Sequence, residues 1–381
     1  MTEQADRKIA ALEKIPGDAG AKSQVGSVVD LFCGAGGLTH GFRLEGYDVV
    51  AGIDVDEDCR YAYEHNNDAP FLRKDITALT SEELSKLFHP NEPRILVGCA
   101  PCQPFSTYNQ KNDDPKWKLV DKFGELIENL LPDVVSMENV PRLLEFRNGS
   151  VFAAFRERLE SNGYWVHAEI AYAPDFGVPQ RRSRLVLLAS RRGPISLVKP
   201  RLDDQLSSTV ENAIGALPAL EAGESDSNDP MHRASRLSTR NLERIRASRP
   251  GGSWRDWSEE LRADCHRVET GRGYASVYGR MSADEPSPTI TTQFFGFGNG
   301  RFGHPTQDRG LSLREGAILQ SFPPRYEFTE PGKPIEFKKL GRMIGNAVPV
   351  LLGKAIARSI RLHLADSVNQ LQGARRDGPA R

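Results

Sequence analysis

Long apolar runs are missing from this sequence of 381 residues. No stretch approaches the ~18 consecutive apolar residues that a membrane-spanning helix needs. The N-terminal segment MTEQADRKIAALEKIPGDAGAKS also lacks the apolar core of a signal peptide. Membrane and secreted classes are therefore excluded, and we expect a cytoplasmic protein without a membrane partner.

Cysteine is scarce, with five in the chain: Cys33, Cys59, Cys99, Cys102 and Cys265. Their odd number and the lack of two paired Cys or His spacings argue against a disulfide framework and against zinc. Cys99 and Cys102 form a single C-x-x-C, a pattern that can be redox-active or metal-binding, but no second pair follows to complete a metal site. We expect free thiols in a reducing compartment and no bound metal.

The chain also lacks a large excess of positive charge, because its net charge is −1. That balance is not the global signature of a nucleic-acid binder. Between Met231 and Arg280, however, the sequence has 11 arginines, six acidic residues and no lysine, a local net charge of +5. Such a stretch is either a solvated helix face or a local patch for nucleic acid.

Short apolar, β-branched runs alternate with amphipathic stretches from residue 27 to residue 190. The alternation predicts an α/β fold, Rossmann-like, with a mostly parallel sheet and helices on both faces. The predicted strands are SVVDLF, YDVVAGID, RILVGCA, DVVSMEN, HAEIAYA and RLVLLAS. The predicted helices are Leu38–Glu45, Ser81–Phe88, Lys122–Leu131 and Val151–Asn162.

Composition changes after Arg191, and residues 192–310 are rich in Arg, Gly, Ser and Pro with weaker periodicity. This change predicts a second, smaller, loop-rich domain. Helical patterns return at 312–322 and at Ala347–Leu364. Residues 1–26 are expected to form an N-terminal extension, and the tail 367–381 is expected to be disordered.

A glycine-rich turn, DLFCGAGGL, lies between the first predicted strand and a helix. Glycines there allow close approach of a ligand, and the helix start offers free N–H groups. A G-x-G-x-x-G pattern would indicate a dinucleotide, but its last glycine position holds Thr39. Asp54 and Asp75 follow the ends of the next two strands, where acids commonly bind ribose hydroxyls. The set favours a cofactor without phosphates, such as S-adenosylmethionine, over a dinucleotide.

Cys102 lies in the segment GCAPCQPFS, directly after a predicted strand. Prolines 101 and 104 stiffen this loop, and strand ends of an open α/β sheet are where ligands bind. A cysteine thiolate is a strong nucleophile near neutral pH, suited to attack on an electron-poor ring carbon. The alternative is a buried inert thiol, the usual state of a free cysteine, and we assign Cys33 and Cys99 to that class.

Two further segments carry polar groups near strand ends. Glu138 follows the apolar run DVV and could hydrogen-bond or protonate a ring nitrogen, or could instead cap a helix. Arg182 and Arg184, in QRRSR, are two positions apart at the start of a strand. In extended geometry they would share a face and form a fork for oxygen ligands, although an ordinary basic loop is the alternative.

Taken in order, these segments resemble the cytosine-5 DNA methyltransferase family of bacterial restriction-modification systems. The matching segments are DLFCGAGG at 30–37, PCQPFS at 101–106, ENV at 138–140, QRRSR at 180–184, Arg280 with SPTIT at 287–291, and GNAVP at 345–349. The resemblance covers roughly residues 27–190 and 280–360. One departure is Ala347, where many members have a serine; we expect a small residue there to be tolerated.

The resemblance implies a class I methyltransferase and a role for each matched position. Cys102 would attack carbon 6 of a flipped-out cytosine, and Glu138 would engage N3 and the exocyclic amine. Arg182 and Arg184 would hold the base carbonyl and a nearby phosphate, or support Cys102. The residues that would line the S-adenosylmethionine pocket are Phe32, Gly34, Gly36, Leu38, Asp54, Val55, Asp75, Ile76, Pro101, Leu119 and Asn346.

The resemblance also implies a division of the chain and a set of DNA contacts. Residues 27–191 would form the catalytic domain, 192–325 a target-recognition domain, and 326–366 a return to the catalytic domain. Double-stranded DNA would be contacted by Gln103, Ser106, Arg233, Arg236, Arg240 and Arg255. A cognate restriction or defence-system protein would be a partner, and we expect a monomer in the bacterial cytoplasm, associated with the nucleoid.

Two other functions remain open from the sequence. One is a tRNA cytosine-5 methyltransferase on the same scaffold, against which the long Arg-rich region argues. The other is a nucleic-acid-binding regulator on an inactive scaffold. The presence of Cys102, Glu138, Arg182 and Arg184 together argues against that one.

Overall fold

The computed structural model describes residues 26–105, 114–200 and 208–376. Within these residues the chain forms two compact units. One, here called the sheet unit, contains residues 26–172, Ser183–Pro200 and 350–376. The other, the loop unit, contains Ala173–Arg182 and residues 208–349.

The sheet unit is built on a mixed seven-stranded sheet in the order β3-β2-β1-β4-β5-β7-β6. Neighbouring strands from β3 to β5 run parallel, whereas β7 is antiparallel to both β5 and β6. The strands are β1 (Ser27–Leu31), β2 (Asp48–Asp54), β3 (Phe71–Arg73), β4 (Arg94–Gly98), β5 (Val134–Asn139), β6 (Trp165–Tyr172) and β7 (Ser183–Ser190). The predicted α/β class is confirmed, and the short β3, which ends two residues before Asp75, lies at the edge of the sheet.

Helices lie on both faces of this sheet. On β1, Val29 and Leu31 pack in a core cluster with Phe123, whereas the intervening Asp30 bonds to Thr39. Alternate strand residues point to opposite faces, so the helices that carry Phe123 and Thr39 cover opposite sides. The helices of the sheet unit are α1 (Gly37–Leu44), α2 (Arg60–Asn67), α3 (Ser81–Ser85), α4 (Lys118–Leu130), α5 (Ser150–Ser161) and, at the C-terminal end, α12 (Val350–Arg376).

The close approach of α1 and α12 depends on glycine. A Cβ atom added at Gly41 would lie 2.4 Å from the backbone nitrogen of Lys354, closer than real contacts allow. Tyr47, just after α1, also donates its hydroxyl to the Ala357 carbonyl at 3.2 Å. The last helix is therefore part of the core that supports the glycine-rich turn.

The loop unit has short helices joined by irregular chain, as the sequence predicts. Among its described residues, β pairing is confined to isolated bridges such as Arg280 with Gly303. Its helices are α6 (Val210–Ile214), α7 (Thr239–Ala247), α8 (Asp264–Arg267), α9 (Glu269–Arg272), α10 (Leu313–Leu319) and α11 (Phe337–Asn346).

A buried ion pair organises the loop unit. Arg309, fully buried, donates to both carboxylate oxygens of Glu315 at 2.8 and 2.7 Å. The same carboxylate caps the start of α10 by accepting from the Ser312 backbone nitrogen at 2.7 Å. These partners outweigh the desolvation of the carboxylate and lower the pKa of Glu315.

Replacing Glu315 by glutamine is expected to destabilise the protein strongly. The variant leaves the Arg309 guanidinium buried without its counter-charge, which costs about 3–5 kcal/mol. Denaturant unfolding followed by circular dichroism would measure this loss, with the exposed Glu330→Gln as the matched control. Equal stability of the two variants would contradict a structural role for the pair.

Two sequence expectations about boundaries differ from the structure. The chain re-enters the sheet unit at Val350 rather than at residue 326. Helix α12 continues to Arg376, so residues 367–376 are helical rather than a disordered tail, and 377–381 lie outside the described residues. The N-terminal extension up to residue 25 also lies outside them.

By length and composition, the helical stretch Phe337–Ser367 could cross a membrane. However, 72% of its apolar window is buried inside the protein, as expected for core helices.

Candidate active site

The matched motifs of the sheet unit lie at one edge of the sheet. Strands β1, β2, β4 and β5 run parallel, so their carboxyl ends share that edge, where open α/β sheets bind ligands. In order along the chain, the glycine-rich turn follows β1, Asp54 is the last residue of β2, the Cys102 loop follows β4, and Glu138 is the second-last residue of β5.

The glycine-rich turn needs unusual backbone angles. Phe32, Gly34 and Gly36 have φ of 59°, 50° and 88°, a region that glycine adopts at little cost. Space is open around Gly34, where an added Cβ would have no atom within 4 Å. The turn thus exposes its backbone next to the start of α1.

Asp54 holds this turn in place. One carboxylate oxygen accepts from the Gly34 nitrogen at 2.9 Å, and the other accepts from the Asp56 nitrogen at 2.9 Å. Burial raises the pKa of Asp54, partly offset by these hydrogen bonds. Each carboxylate oxygen can accept more than one hydrogen bond, so Asp54 can support the turn and also bind a ligand.

Behind the turn, Asp30 forms a buried network with α1 and α2. Its Oδ2 accepts from the Thr39 hydroxyl at 2.7 Å, and that hydroxyl lies 3.0 Å from the Tyr63 hydroxyl. The other oxygen, Oδ1, is buried without a hydrogen-bond partner. Burial, together with the nearby Asp54 charge, raises the pKa of Asp30 to about 7.

Asp30 should make stability fall as pH rises. The pKa of Asp30 is higher in the folded protein than in the unfolded chain. Its contribution to the free energy of unfolding is therefore fully present below pH ~4 and is lost as pH rises through about 7. The free energy of unfolding of Asp30→Asn, relative to that of wild type, should therefore increase by about 2–3 kcal/mol from pH 5 to pH 8. Urea unfolding of both proteins at the two pH values measures this, and parallel pH profiles would contradict it.

The Cys102 loop is fixed at both ends. Asn139, at the end of β5, is fully buried and donates its amide to the Ala100 carbonyl at 3.1 Å. After Cys102 the chain makes one helical turn, and the Phe105 ring packs edge-on against Phe146 with centroids 4.9 Å apart. Cys102 itself is half-buried and, like the other four cysteines, forms no disulfide.

Glu138 is 2% exposed and lies between two partners. The Cys99 thiol donates to Oε2 at 2.7 Å. The Arg184 Nε atom lies 2.9 Å from Oε1 as an ion pair, and Oε1 has no aligned hydrogen bond. Oε2 thus accepts a hydrogen bond from the protein, while Oε1, beside the Arg184 guanidinium, has hydrogen-bonding capacity left for a substrate.

Cys99 is a buried, unreactive thiol, as expected from the sequence, but it also has a hydrogen-bond partner in Glu138. Burial, with the neighbouring Glu138 carboxylate, raises the pKa of Cys99 well above its usual range. The group stays a protonated thiol, which can donate to Glu138. Cys99 and Cys102 form no disulfide with each other.

The expected arginine fork is not formed, because the two side chains have separate partners. Arg182, 4% exposed, belongs to the loop unit and donates to the carbonyls of Ile290, Gly345 and Ala347 at 3.1, 3.4 and 3.4 Å. It thus holds the GNAVP turn on either side of Asn346. Arg184 pairs with Glu138 in the sheet unit. The alternation of side chains along a strand could not predict these separate partners, because Arg182 precedes β7 instead of lying in it.

The remaining cofactor candidates fall into three groups. Val55, just after β2, is 62% exposed. Asp75 is also exposed and caps the short turn that begins at Ile76, by accepting from the Thr77 nitrogen at 2.9 Å. Leu38 is buried in the first turn of α1, and Pro101 and Leu119 are half-buried in the sheet unit. Asn346 is exposed at the end of α11 in the loop unit.

The four candidate DNA-binding arginines, Arg233, Arg236, Arg240 and Arg255, are exposed in the loop unit. Gln103 is exposed in the Cys102 loop, whereas Ser106 lies outside the described residues. Part of the Arg-rich stretch is structural instead. Arg280 is 5% exposed and pairs with Asp308 at 2.6 Å.

Comparison with known proteins identifies the class that this fold and site define. Residues 26–362 match the family of C-5 cytosine-specific DNA methylases. The chain belongs to this family and is a DNA (cytosine-5-)-methyltransferase.

Individual relatives agree with that assignment. The chain is 51% identical to the Type II methylase M.HgiDII of Herpetosiphon aurantiacus, over 89% of this chain and 96% of that protein. It is 33% identical to the Type II methyltransferase M1.HphI of Haemophilus parahaemolyticus, over 87% and 86%. The solved Entamoeba histolytica methyltransferase EhMeth superposes with a TM-score of 0.60 at 17% identity, over 89% and 98% of the chains, which supports the fold.

Proposed function

We propose that this enzyme transfers a methyl group from S-adenosylmethionine to carbon 5 of a cytosine within a specific duplex DNA sequence, with Cys102 as covalent nucleophile. The observation that carries the proposal is the buried Glu138, whose Oε1 retains hydrogen-bonding capacity. Glu138 lies near the end of β5, and Cys102 follows the end of the neighbouring β4. A nucleophile and a group able to engage a ring nitrogen are the two elements that the reaction requires.

The glycine-rich turn fits S-adenosylmethionine. The open space around Gly34 and the left-handed turn allow a ligand to approach the backbone closely. The cofactor supplies an electrophilic methyl group. Phe32, Gly34, Gly36, Leu38 and Asp54 would hold it at the turn. The exposed Val55 and Asp75 and the buried Ile76 would contact the adenosine, and Pro101 and Leu119 would close the pocket. Asn346 stays a prediction from the family resemblance.

Cys102 would start the reaction by addition. Its thiolate forms a bond to carbon 6, and the electron pair of the 5,6 double bond becomes available at carbon 5. After carbon 5 is methylated, a base removes its proton and the electrons re-form the double bond as Cys102 leaves. The fixed ends of the Cys102 loop favour this attack, because they limit the positions that the thiol can take.

Glu138 would bind N3 and the exocyclic amine of the base. As carbon 6 is attacked, negative charge develops on the ring, and a hydrogen bond or proton at N3 stabilises it. Arg184 orients the Glu138 carboxylate from one side, and the Cys99 thiol orients it from the other. Arg182 is a positioning residue for the GNAVP turn.

The target carbon is inaccessible inside a stacked duplex, so the base must be flipped into the site. Exposed arginines of the loop unit would bind DNA phosphates, which gives affinity, and some would read guanine edges, which gives specificity. Gln103 and Ser106 would contact the DNA beside the flipped base. Since its relatives are Type II methylases, a cognate restriction enzyme is the partner we expect for this monomeric cytoplasmic enzyme.

Transfer of tritium from labelled S-adenosylmethionine tests the proposal. Label should enter duplex DNA and not tRNA, and bisulfite sequencing of DNA from expressing cells should show 5-methylcytosine in one sequence context. Label found in tRNA alone would contradict the proposal, as would methylated adenine.

Cys99 provides a test of how Glu138 is held. Replacing Cys99 by alanine should lower kcat about tenfold with little change in KM, since a hydrogen bond to a charged group contributes about 1.5–3 kcal/mol. Cys99→Ser keeps a donor and should retain most of the activity. If alanine and serine variants were equally active, or equally impaired, Cys99 would have no positioning role.

A further inference from the structure

A second candidate binding site lies in the loop unit. It is a cavity of about 460 Å³ lined by Trp254, Arg255, Glu259, Arg262, His266 and Arg267, here called the Trp254 pocket. The pocket shares no residue with the site around Cys102 and Glu138.

One wall of the Trp254 pocket is rigid. The His266 ring stacks on the Trp254 indole, with centroids 4.3 Å apart and planes inclined by 17°. The Trp254 Nε1 donates to the Tyr274 carbonyl at 2.9 Å. Because both rings are buried and the indole donor is already bonded, the wall is preorganised.

The charge of the pocket is positive. Three arginines line it against a single glutamate. Glu259 is paired with Arg262, and its backbone carbonyl accepts from Arg267 at 2.8 Å. Burial and the nearby Arg244 and Arg262 charges lower the pKa of His266, so the imidazole is neutral near pH 7.

Two buried polar atoms of the pocket have no hydrogen-bond partner: the Nε of Arg262 and the Nδ1 of His266. His266 is only 3% exposed, so water does not replace the missing partner freely. An unmade hydrogen bond of this kind is costly in a folded protein. The Arg262 Nε is a donor, and the His266 Nδ1 is a donor in the Nδ1–H tautomer, so a ligand that brings acceptor oxygens satisfies both atoms.

We propose that the Trp254 pocket binds a phosphate group of the DNA backbone, outside the catalytic site. Guanidinium groups match phosphate oxygens in charge and geometry. A stacked base is a poorer fit, because His266 occupies one face of Trp254 and the Arg255 and Arg262 guanidinium groups lie 5.7 and 6.0 Å from its ring centre. The inference rests on the proposed function only in naming DNA as the source of the phosphate.

Binding of a fluorescent duplex, taken from a methylated region, to Arg262→Gln and Arg267→Gln variants tests the inference. Each variant should weaken binding about tenfold and reduce the slope of log Kd against log salt by about 1. Arg156→Gln, which removes an exposed arginine of α5, is the charge-matched control and should match wild type. Wild-type affinity and slope in both pocket variants would overturn the proposal.

A second measurement uses the unaltered protein and so does not depend on the folding of a variant. Phenylglyoxal modifies accessible arginines, and peptide mass spectrometry locates the product. Duplex DNA should slow modification of Arg262 and Arg267 but not of Arg156, and inorganic phosphate should give partial protection at the same two residues. Equal rates with and without DNA would overturn the inference. Both readouts are independent of methyl transfer, so they separate this inference from the proposed function.

Discussion

Cys102→Ser is expected to lose methylation of duplex DNA by about 10³-fold or more. The hydroxyl is far less ionised than a thiol near neutral pH, so attack on carbon 6 would be too slow to activate carbon 5. The change is nearly isosteric and should leave the loop anchors at Ala100 and Phe105 intact. Affinity for S-adenosylmethionine and for DNA should therefore be retained.

Tritium incorporation under single-turnover conditions measures this effect, and melting temperature checks the fold. Cys265→Ser is the matched control, because Cys265 is an exposed thiol of the loop unit. It should behave as wild type. A Cys102→Ser enzyme with full activity would contradict covalent catalysis by this residue.

Glu138→Gln is expected to reduce the rate of methyl transfer by about 10²–10⁴-fold, the usual contribution of a positioned general acid. Glutamine keeps the shape of the side chain but cannot transfer a proton to N3, and it removes the counter-charge of Arg184. The loss should lie in the rate of the chemical step, with cofactor affinity unchanged.

Single-turnover kinetics with saturating DNA and cofactor would isolate that step. Glu145→Gln, an exposed acid shortly after the same strand, is the control and should keep the wild-type rate. A wild-type rate of methyl transfer in Glu138→Gln would contradict a role for this carboxylate in activating the cytosine base.

Much of the fold could be predicted from local pattern. The apolar runs that became β1, β4, β5 and β7 are buried on both sides of the sheet, so they are continuous in the sequence. Strand β3 was expected only as a strand ending before Asp75, without bounds, since three residues hold no periodicity. The 10-residue α11 was not predicted, although its apolar Phe337, Leu340 and Ile344 recur at helical spacing.

The candidate site could be predicted as a set of positions but not as a set of contacts. Spacing after a strand indicated Asp54, yet its hydrogen bond to Gly34 depends on a turn whose geometry is fixed by tertiary structure. The Cys99–Glu138 bond joins residues that are 39 positions apart, and their contact follows from strand order alone. The contacts of Arg182 could not be predicted for the same reason, because three of its acceptors are carbonyls more than 100 residues away along the chain.

The most direct test of the central claim is to trap the enzyme on DNA and locate the bond. A duplex with 5-fluorocytosine at the site identified by bisulfite sequencing should accept attack and methylation, but fluorine cannot leave as the proton does, so the nucleophile stays attached. Mass spectrometry of the digested adduct should place the nucleotide on Cys102. An adduct on another residue, or methylated DNA with no adduct, would contradict the account.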